Sequence, residues 1–328
     1  MPTRVRPATP GDLEAICALL LQDGAERAAS DGNLWPLATD SVQRIAVEFT
    51  NEVQNEGPFH WLVAEAAGAV VGVARLGVIP CPPIYHLAGQ LAFVLFDDTT
   101  VSRLAPEDAL ALLIVAAERE GEALGAVTFI AACAPFQREK LRTLESAGYG
   151  IVTRYLVKHR LSNGVSPISV RAASSADIAA IVAMGGEAQN MLFQANAQMW
   201  KPHPEAPSRF SAWMHYSLTL PDRCIFIDDG HESAGFVIAQ PVSSVHMPVA
   251  SKRDHIGLID DFWAPEFATA TTGRVSTFAS DLLAAAEFEF TRRGKTSAMA
   301  ISPATWRSKQ HFLREHGYCD GNAWMLKG

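Results

Sequence analysis

The sequence predicts an α/β protein built from one unit written twice, each copy a mixed, mostly antiparallel sheet with helices on both faces. Three observations carry that expectation. The chain has 328 residues, about twice the commonest domain size. Its composition, 48% hydrophobic and 19% charged, suits a packed core and is too apolar for disorder. The same landmarks also recur in the same order in both halves, as a duplication requires.

The first landmark is a strand running into a helix start. Residues 5–16 and 170–181 share Val5/Val170, Arg6/Arg171, Ala8/Ala173, Asp12/Asp177 and Ile16/Ile181 at a constant offset of 165. In both, a polar turn follows the strand, and its Thr or Ser and its Asp read as helix-start signals. The second landmark is a hairpin, 61–65 into 70–74 and 224–228 into 234–238, with Gly72 matched to Gly235. The third closes each half. Lys140, Leu144, Gly148 and Tyr149 match Lys309, Leu313, Gly317 and Tyr318 at an offset of 169. There a helix stops at a C-capping glycine and a strand follows, at 151–157 and 322–326.

Between these landmarks the periodicity predicts helices over 106–124 and 275–293 and strands over 126–131 and 296–301. An order of this kind makes a mixed sheet with helices on both faces. The expected organisation is an N-terminal domain over 1–161, a linker over 162–168 and a C-terminal domain over 169–328. The linker contains Ser162-Asn-Gly-Val-Ser-Pro167, a composition that favours turns over regular structure.

A net charge of −8 argues against a nucleic-acid surface, while leaving room for a local basic pocket. The five cysteines (Cys17, Cys81, Cys133, Cys224, Cys319) are scattered, odd in number and never spaced C-x-x-C. That predicts neither a disulfide framework nor a cysteine zinc site, and fits reduced thiols in the cytoplasm. The first residues run into a folded segment without an apolar signal region. The longest apolar run, 109–117, is far short of the roughly 20 residues that span a bilayer. Neither a membrane nor a nucleic-acid partner is therefore expected. P-loop, zincin, nucleophile-elbow and dinucleotide-binding motifs are missing from the sequence.

The element order, the Arg-x-Ala start, the hairpin, the long strand and helix, and the terminal Gly-aromatic pair together resemble the GNAT superfamily of N-acyltransferases. The resemblance covers nearly the whole of each half. Its most telling stretch is Gly257-Leu-Ile-Asp-Asp-Phe-Trp-Ala-Pro265, followed by Leu282, Leu283, Gly294, Gly317 and Tyr318. This implies transfer of an acyl group from acetyl-CoA or another acyl-CoA to a small amine acceptor. The family's R/Q-x-x-G-x-G/A motif, which holds the CoA pyrophosphate, would fall on Arg274, Val275, Ser276, Thr277, Phe278 and Ala279, with Thr277 in place of the middle glycine. Unpaired N–H groups at a helix N-terminus bind phosphate, which is the physics of such a motif. The strand end at Phe262, Trp263 and Ala264 would complete the cofactor contacts. In the first half the same counting lands on Ala105-Pro-Glu-Asp108-Ala-Leu110. Glu107 and Asp108 there complement a helix dipole and repel a pyrophosphate.

A fourth-strand carboxylate commonly serves the family as base, and Asp261 takes that position. Strand alternation puts Ile259, Asp261 and Trp263 on one face, with Asp260 and Phe262 on the other. The counterparts in the first half read as Phe93 for Asp260 and Val94 for Asp261, which marks the second half as catalytic and the first as its structural partner. The structural alternative for Asp261 is a carboxylate bonded to loop backbone. The family's Tyr acid is replaced by Leu313 (Leu144 in the first half), and its Asn by Trp306 (Gln137). His215, Tyr216, His246, His255 and His311 are substitutes that the sequence does not rank. Lys140 and Lys309 read as the solvated face of a helix rather than as a shared phosphate contact. Met199, Trp200 and His203, within 196–204, either line an acceptor pocket or pack between the halves. Two further readings stand beside amine acylation: an inactive protein that binds acyl-CoA or a partner, and acyl-CoA decarboxylation on the same fold.

Overall fold

Each half opens with the same electrostatic clamp. Arg6 donates to Asp12 at 2.8 Å and Arg171 to Asp177 at 2.8 Å. Each carboxylate also accepts from the backbone N–H and hydroxyl of the residue three before it, Thr9 or Ser174. The repeated Arg and Asp therefore tie a strand to the helix it precedes, through a capping box and a bidentate pair.

The computed structural model describes residues 2–55, 57–162, 164–228, 235–268 and 277–328. The first half runs β1 (Arg4–Pro7), α1 (Leu13–Ser30), α2 (Ser41–Gln54), β2 (Phe59–Ala66), β3 (Ala69–Pro80), β4 (Leu91–Leu95) and β5 (Thr100–Val101). It continues with α3 (Ala109–Ala123), β6 (Ala126–Cys133), α4 (Arg138–Ser146) and β7 (Tyr149–His159). The second half runs β8 (Val170–Ala172), α5 (Ile178–Ala195), α6 (Ala197–Trp200), α7 (Ala206–Ser217), β9 (Cys224–Asp228) and β10 (Phe236–Pro241). It ends with β11 (Ile256–Trp263), α8 (Thr277–Arg292), β12 (Ser297–Pro303), α9 (Arg307–Glu315) and β13 (Cys319–Lys327). The glycines closing α4 and α9, Gly148 (φ 91°) and Gly317 (φ 86°), adopt the left-handed conformation that stops a helix.

Among the described residues thirteen strands form one sheet, ordered β1-β2-β3-β4-β6-β13-β7-β12-β11-β10-β9-β8, with β5 paired to β3. The order is a palindrome of the two halves with one exchange. The last strand of the first half, β7, pairs with β12, and the last strand of the second half, β13, pairs with β6. The exchanged strands also pair with each other, from Cys319↔Val157 to Lys327↔Tyr149. Leu156 of β7 consequently packs in the second half's core and Met325 of β13 in the first's.

The connectors are exchanged as well. Ala38 N–H donates to Ala250 and Lys252 N–H to Pro36; in the mirrored contact His203 N–H donates to Ile84 and His86 N–H to Lys201. Each half's first helical connector thus caps the other half's loop between its third and fourth long strands.

One packing contact fixes how the halves align. A Cβ on Gly121 of α3 would collide with Phe93 of β4; in the second half a Cβ on Gly257 of β11 would collide with Phe290 of α8. Strand and helix have traded the large and small partners, so Phe93 corresponds to Gly257, not to Asp260. The large-to-small fit is conserved in volume although neither residue type is.

Candidate functional site

The parallel register of β11 with β12 runs from Ile256↔Ser297 to Ile259↔Ala300. Both strands continue, to Trp263 and Pro303, but without pairing, so they diverge and leave backbone groups on the facing edges. A cavity of about 520 Å³ opens into that divergence, bordered by Asp260 and Asp261 from β11 and by Ile301 and Pro303 from β12. Trp306 and Lys309 of α9 and Ala188 and Leu192 of α5 add walls. The first half supplies Tyr85 from the loop between β3 and β4 and Thr153 and Tyr155 from the exchanged β7.

The alternation expected along β11 does not survive. Val237 pairs with Phe262 and Ala239 with Ile259, so Asp260 and Asp261 together oppose the single residue Ile238. Such a bulge turns the strand by one residue, and both aspartates border the cavity rather than facing opposite ways.

Their surroundings differ. Asp260 pairs with Arg223 at 3.1 Å, and Arg223 also donates to Gln240 and lies 5.2 Å above the Trp213 ring. Asp261 is half-buried at the cavity border. Burial pushes its carboxyl above the usual range; Lys309 and Arg223 oppose that rise and Asp260 adds to it. Lys309 is 4% exposed, with its ammonium 5.2 Å from the Trp306 ring and 5.8 Å from that of Phe262. Burial pulls it down to about 8 against the opposing fields of Asp261 and Asp260. Among the described residues it has no hydrogen bond and no ion pair.

The corresponding region of the first half is filled. Asp97 lies two residues past the last parallel pair, Leu95↔Ala131, as Asp261 does past Ile259↔Ala300. It accepts from Arg27 at 2.8 Å and from Asn322 at 3.1 Å, and pairs with Lys140 at 3.2 Å. Although burial pushes the other way, Arg27 and Lys140 hold its carboxyl down to about 2. Arg27 is 0% exposed and also pairs with Asp23. Asp23, Arg27, Gln137 and Asn322 stand where the second half has Ala188, Leu192, Trp306 and Thr153, and those four border its cavity. A charged cluster occupies in one half the space that small and apolar residues leave open in the other.

The structure corrects two further expectations. The counterpart of Asp261 is Asp97, not Val94, because counting along β4 from the sequence alone slipped by three residues where no landmark anchors it. Both halves therefore carry the carboxylate, and what separates them is the cavity. Lys140 and Lys309 are buried, not solvated. Met199 and Trp200 both border the cavity and pack against Val94 and Phe96 of the first half, while the His203 N–H bonds across to Ile84.

The other expected residues are distributed unevenly. Phe262, Trp263 and Ala264 are buried. Phe262 packs 4.9 Å from Phe267, and Trp263 packs 6.0 Å from Trp306, so these side chains serve the core and only their backbone adjoins the divergence. Ala279 is buried and Phe278 half-buried in the first turn of α8. Arg274, Val275 and Ser276 lie outside the described residues, and Thr277 is described only as the start of α8. Of the five His and Tyr substitutes, His246 borders the cavity. It contacts Ser243 at 2.9 Å and stacks on Trp324 at 6.4 Å and 9°. His255 is buried against the Asn33 carbonyl, His311 pairs with Glu315, and His215 and Tyr216 are exposed. Leu313 is fully buried and apolar. Arg223, Thr153, Tyr155 and Lys309 were missed, the middle two because only the strand exchange brings them there.

Among the described residues no group of three His, Cys, Asp or Glu is placed to hold a metal ion, and no helix is long and apolar enough to cross a membrane.

No family model and no curated protein matches the sequence. Solved structures do match the fold. A GCN5-related N-acetyltransferase from Sphaerobacter thermophilus is 15% identical with a TM-score of 0.57, covering 99% of this chain and 95% of that one. A tandem GNAT protein from the clavulanic acid biosynthesis pathway is 12% identical with a TM-score of 0.52, covering 99% and 98%. At these identities the likeness establishes the fold alone: the chain folds like tandem GNAT proteins, its two units joined here through one sheet.

Proposed function

We propose that the protein is an acyl-CoA-dependent N-acyltransferase whose second half acylates a small amine. The observation that carries this reading is the open cavity at the divergence of β11 and β12, with a half-buried carboxylate, Asp261, at its edge. The unpaired strand edges suit an extended ligand bearing amide groups, since buried backbone donors and acceptors need partners. The backbone of Phe262, Trp263 and Ala264 would hold the acyl-CoA there, and the segment from Arg274 to Ala279 its pyrophosphate. Asp261, whose proton affinity burial has raised, would take the proton from the amine nitrogen as it attacks. The flat walls from Trp200, Trp213 and Tyr155 suit an amine carried on an apolar body. The first half would act as a structural partner that supplies Tyr85 and Tyr155. Five unpaired cysteines fit a reducing, cytoplasmic setting.

The test is acetyl-CoA with a panel of apolar amines, following release of free thiol. Arg274→Glu should abolish acetyl-CoA binding and turnover; unchanged turnover would overturn the placement of the cofactor. CoA binding without thiol release across the panel would instead favour a binding protein, and carbon dioxide release from malonyl-CoA a decarboxylase.

A further inference from the structure

We infer that Lys309 is the acid of this site, giving its proton to the sulfur of the departing thiolate; the inference rests on the acyl-transfer reading above. An ammonium removed from water without a partner is costly, and proteins pair such groups or do without them. Lys140, at the equivalent place on α4, is paired with Asp97 at 3.2 Å. Lys309 has the same amine but no such contact among the described residues. Its ammonium lies over the rings of Phe262 and Trp306, and Lys309 borders the cavity. An unpartnered donor aimed into a cavity points to a ligand group that completes it.

The position fits the role. Lys309 lies one helical turn before Leu313, on the same face of α9, and Leu313 stands where the resemblance implies an acid but has no proton to give. Asp261 approaches the same cavity from β11, so a base and an acid face one space from two elements. The competing donors are less suited. Tyr155 is buried, which pushes its phenol well above the ordinary value. His246 is held by Ser243 and stacked on Trp324, and burial favours its neutral form. The ammonium of Lys309, pulled down to about 8, is matched to a thiol of ordinary acidity, about 8.5. A proton passing between matched groups has little free energy to climb.

The step balances without any further reactant. The amine nitrogen bonds to the thioester carbonyl carbon and the carbon–sulfur bond breaks, its electron pair leaving on sulfur. Asp261 takes the proton lost by nitrogen and Lys309 gives one to sulfur. Return of the proton from Asp261 to Lys309 resets the site.

The test compares wild type with Lys309→Arg and Lys309→Met across acetyl thioesters whose leaving thiols run from CoA to nitrothiophenol. With acetyl-CoA both variants should lose about 100-fold or more in kcat, while KM for acetyl-CoA changes little. With the nitrothiophenyl ester, whose thiolate needs no proton to leave, the loss should shrink to about threefold. Arg keeps the charge but cannot release a proton at neutral pH, so wild-type kcat in Lys309→Arg would overturn the inference. A loss of one constant size across all donors would overturn it too, since a merely structural lysine predicts that. Wild type inactive on every donor and amine would instead remove the acyl-transfer reading, and this inference with it.

Discussion

Asp97 and Asp261 stand at the same step of the same strand in the two halves, each two residues beyond its last parallel pair, yet one is clamped by three donors and the other faces open space. Equivalent positions belong to a structural ion cluster in the first half and to a candidate base in the second. Duplication leaves such a division open, because only one copy of a site has to be kept open for chemistry.

The division predicts opposite outcomes for the same substitution. Asp261→Asn should cut kcat for acyl transfer by about 10²- to 10⁴-fold, the span of a lost general base, with little change in stability. Asp97→Asn should leave the kinetic constants within about twofold, but it leaves Arg27 and Lys140 buried without that anion. Breaking a buried pair from one side costs about 3–5 kcal/mol, and Asp23 beside Arg27 keeps the expected loss near the lower figure. Urea unfolding and steady-state kinetics on the two variants separate these outcomes. Loss of turnover in Asp97→Asn at full occupancy of the folded state would show the first half to be catalytic.

The two lysines predict opposite signs in stability. Lys140→Met removes a partner from Asp97 and should destabilise by about 1–3 kcal/mol. Lys309→Met removes a buried charge that has no ion pair among the described residues and is only partly offset by the Trp306 and Phe262 rings and the fields of Asp261 and Asp260. Its folded pKa, about 8, lies below the ordinary 10.5, so at neutral pH the native state carries a proton that it holds poorly. Between about 8 and 10.5 the unfolded chain binds the proton more firmly, and wild-type stability rises with pH relative to the variant. Lys309→Met should therefore be the more stable protein at pH 7, by on the order of 2–3 kcal/mol. That advantage should disappear above about pH 10. The fields facing this group come from Asp260 and Asp261 on β11, with Arg223, Tyr155, Tyr85 and His246 around the cavity. Of these Asp261 would protonate more readily once Lys309 is gone. Unfolding free energies at pH 7 and pH 10 check both signs.

The duplication was legible because its landmarks are local: a capping box, a hairpin and a glycine stop each need only neighbouring residues. Asp261 was legible for the same reason, lying in a stretch that carries the resemblance. The exchange of β7 and β13 was not, since Tyr155 and Trp324 have the same strand pattern whichever sheet edge they join. The bulge at Ile238 was hidden because alternation presumes one residue opposite one. Lys309 left a signal, its shared register with Lys140, but a lone lysine on an amphipathic helix looks solvated until its covering aromatics, Phe262 and Trp306, are in place. The filling of the first half was visible only as Asp23 and Arg27 aligned with Ala188 and Leu192, a difference whose meaning depends on knowing that each pair sits at the equivalent place in its own half.

That difference can be transplanted. Ala188→Asp with Leu192→Arg places the first half's clamp beside Asp261, at positions that already border the cavity. The introduced Arg has Asp261 and the introduced Asp as partners, so the charges are not left unpaired. The double variant should fold, with a melting temperature within about 5 °C of wild type. It should lose detectable binding of apolar amines and at least about 100-fold in turnover. Full activity in a folded double variant would mean that the chemistry takes place elsewhere.

The exchanged strands also predict how the halves come apart. In the peptide between them Val165 is 88% and Ile168 102% accessible, so limited proteolysis should cut beside these residues before it cuts within the sheet. Were the halves joined only by that peptide, the cut would release two fragments. Here β7 remains bound to β12 along the register from Thr153↔Pro303 to His159↔Ser297, and β13 to β6 from Ile130↔Leu326 to Cys133↔Ala323. Each fragment would have to withdraw a central strand from the other's core, exposing Leu156 or Met325 and a row of unpaired backbone groups. The nicked protein should therefore elute from gel filtration at the mass of the intact chain, keep its turnover, and separate only in denaturant. Fragments that part in native buffer would show that the halves do not share their strands.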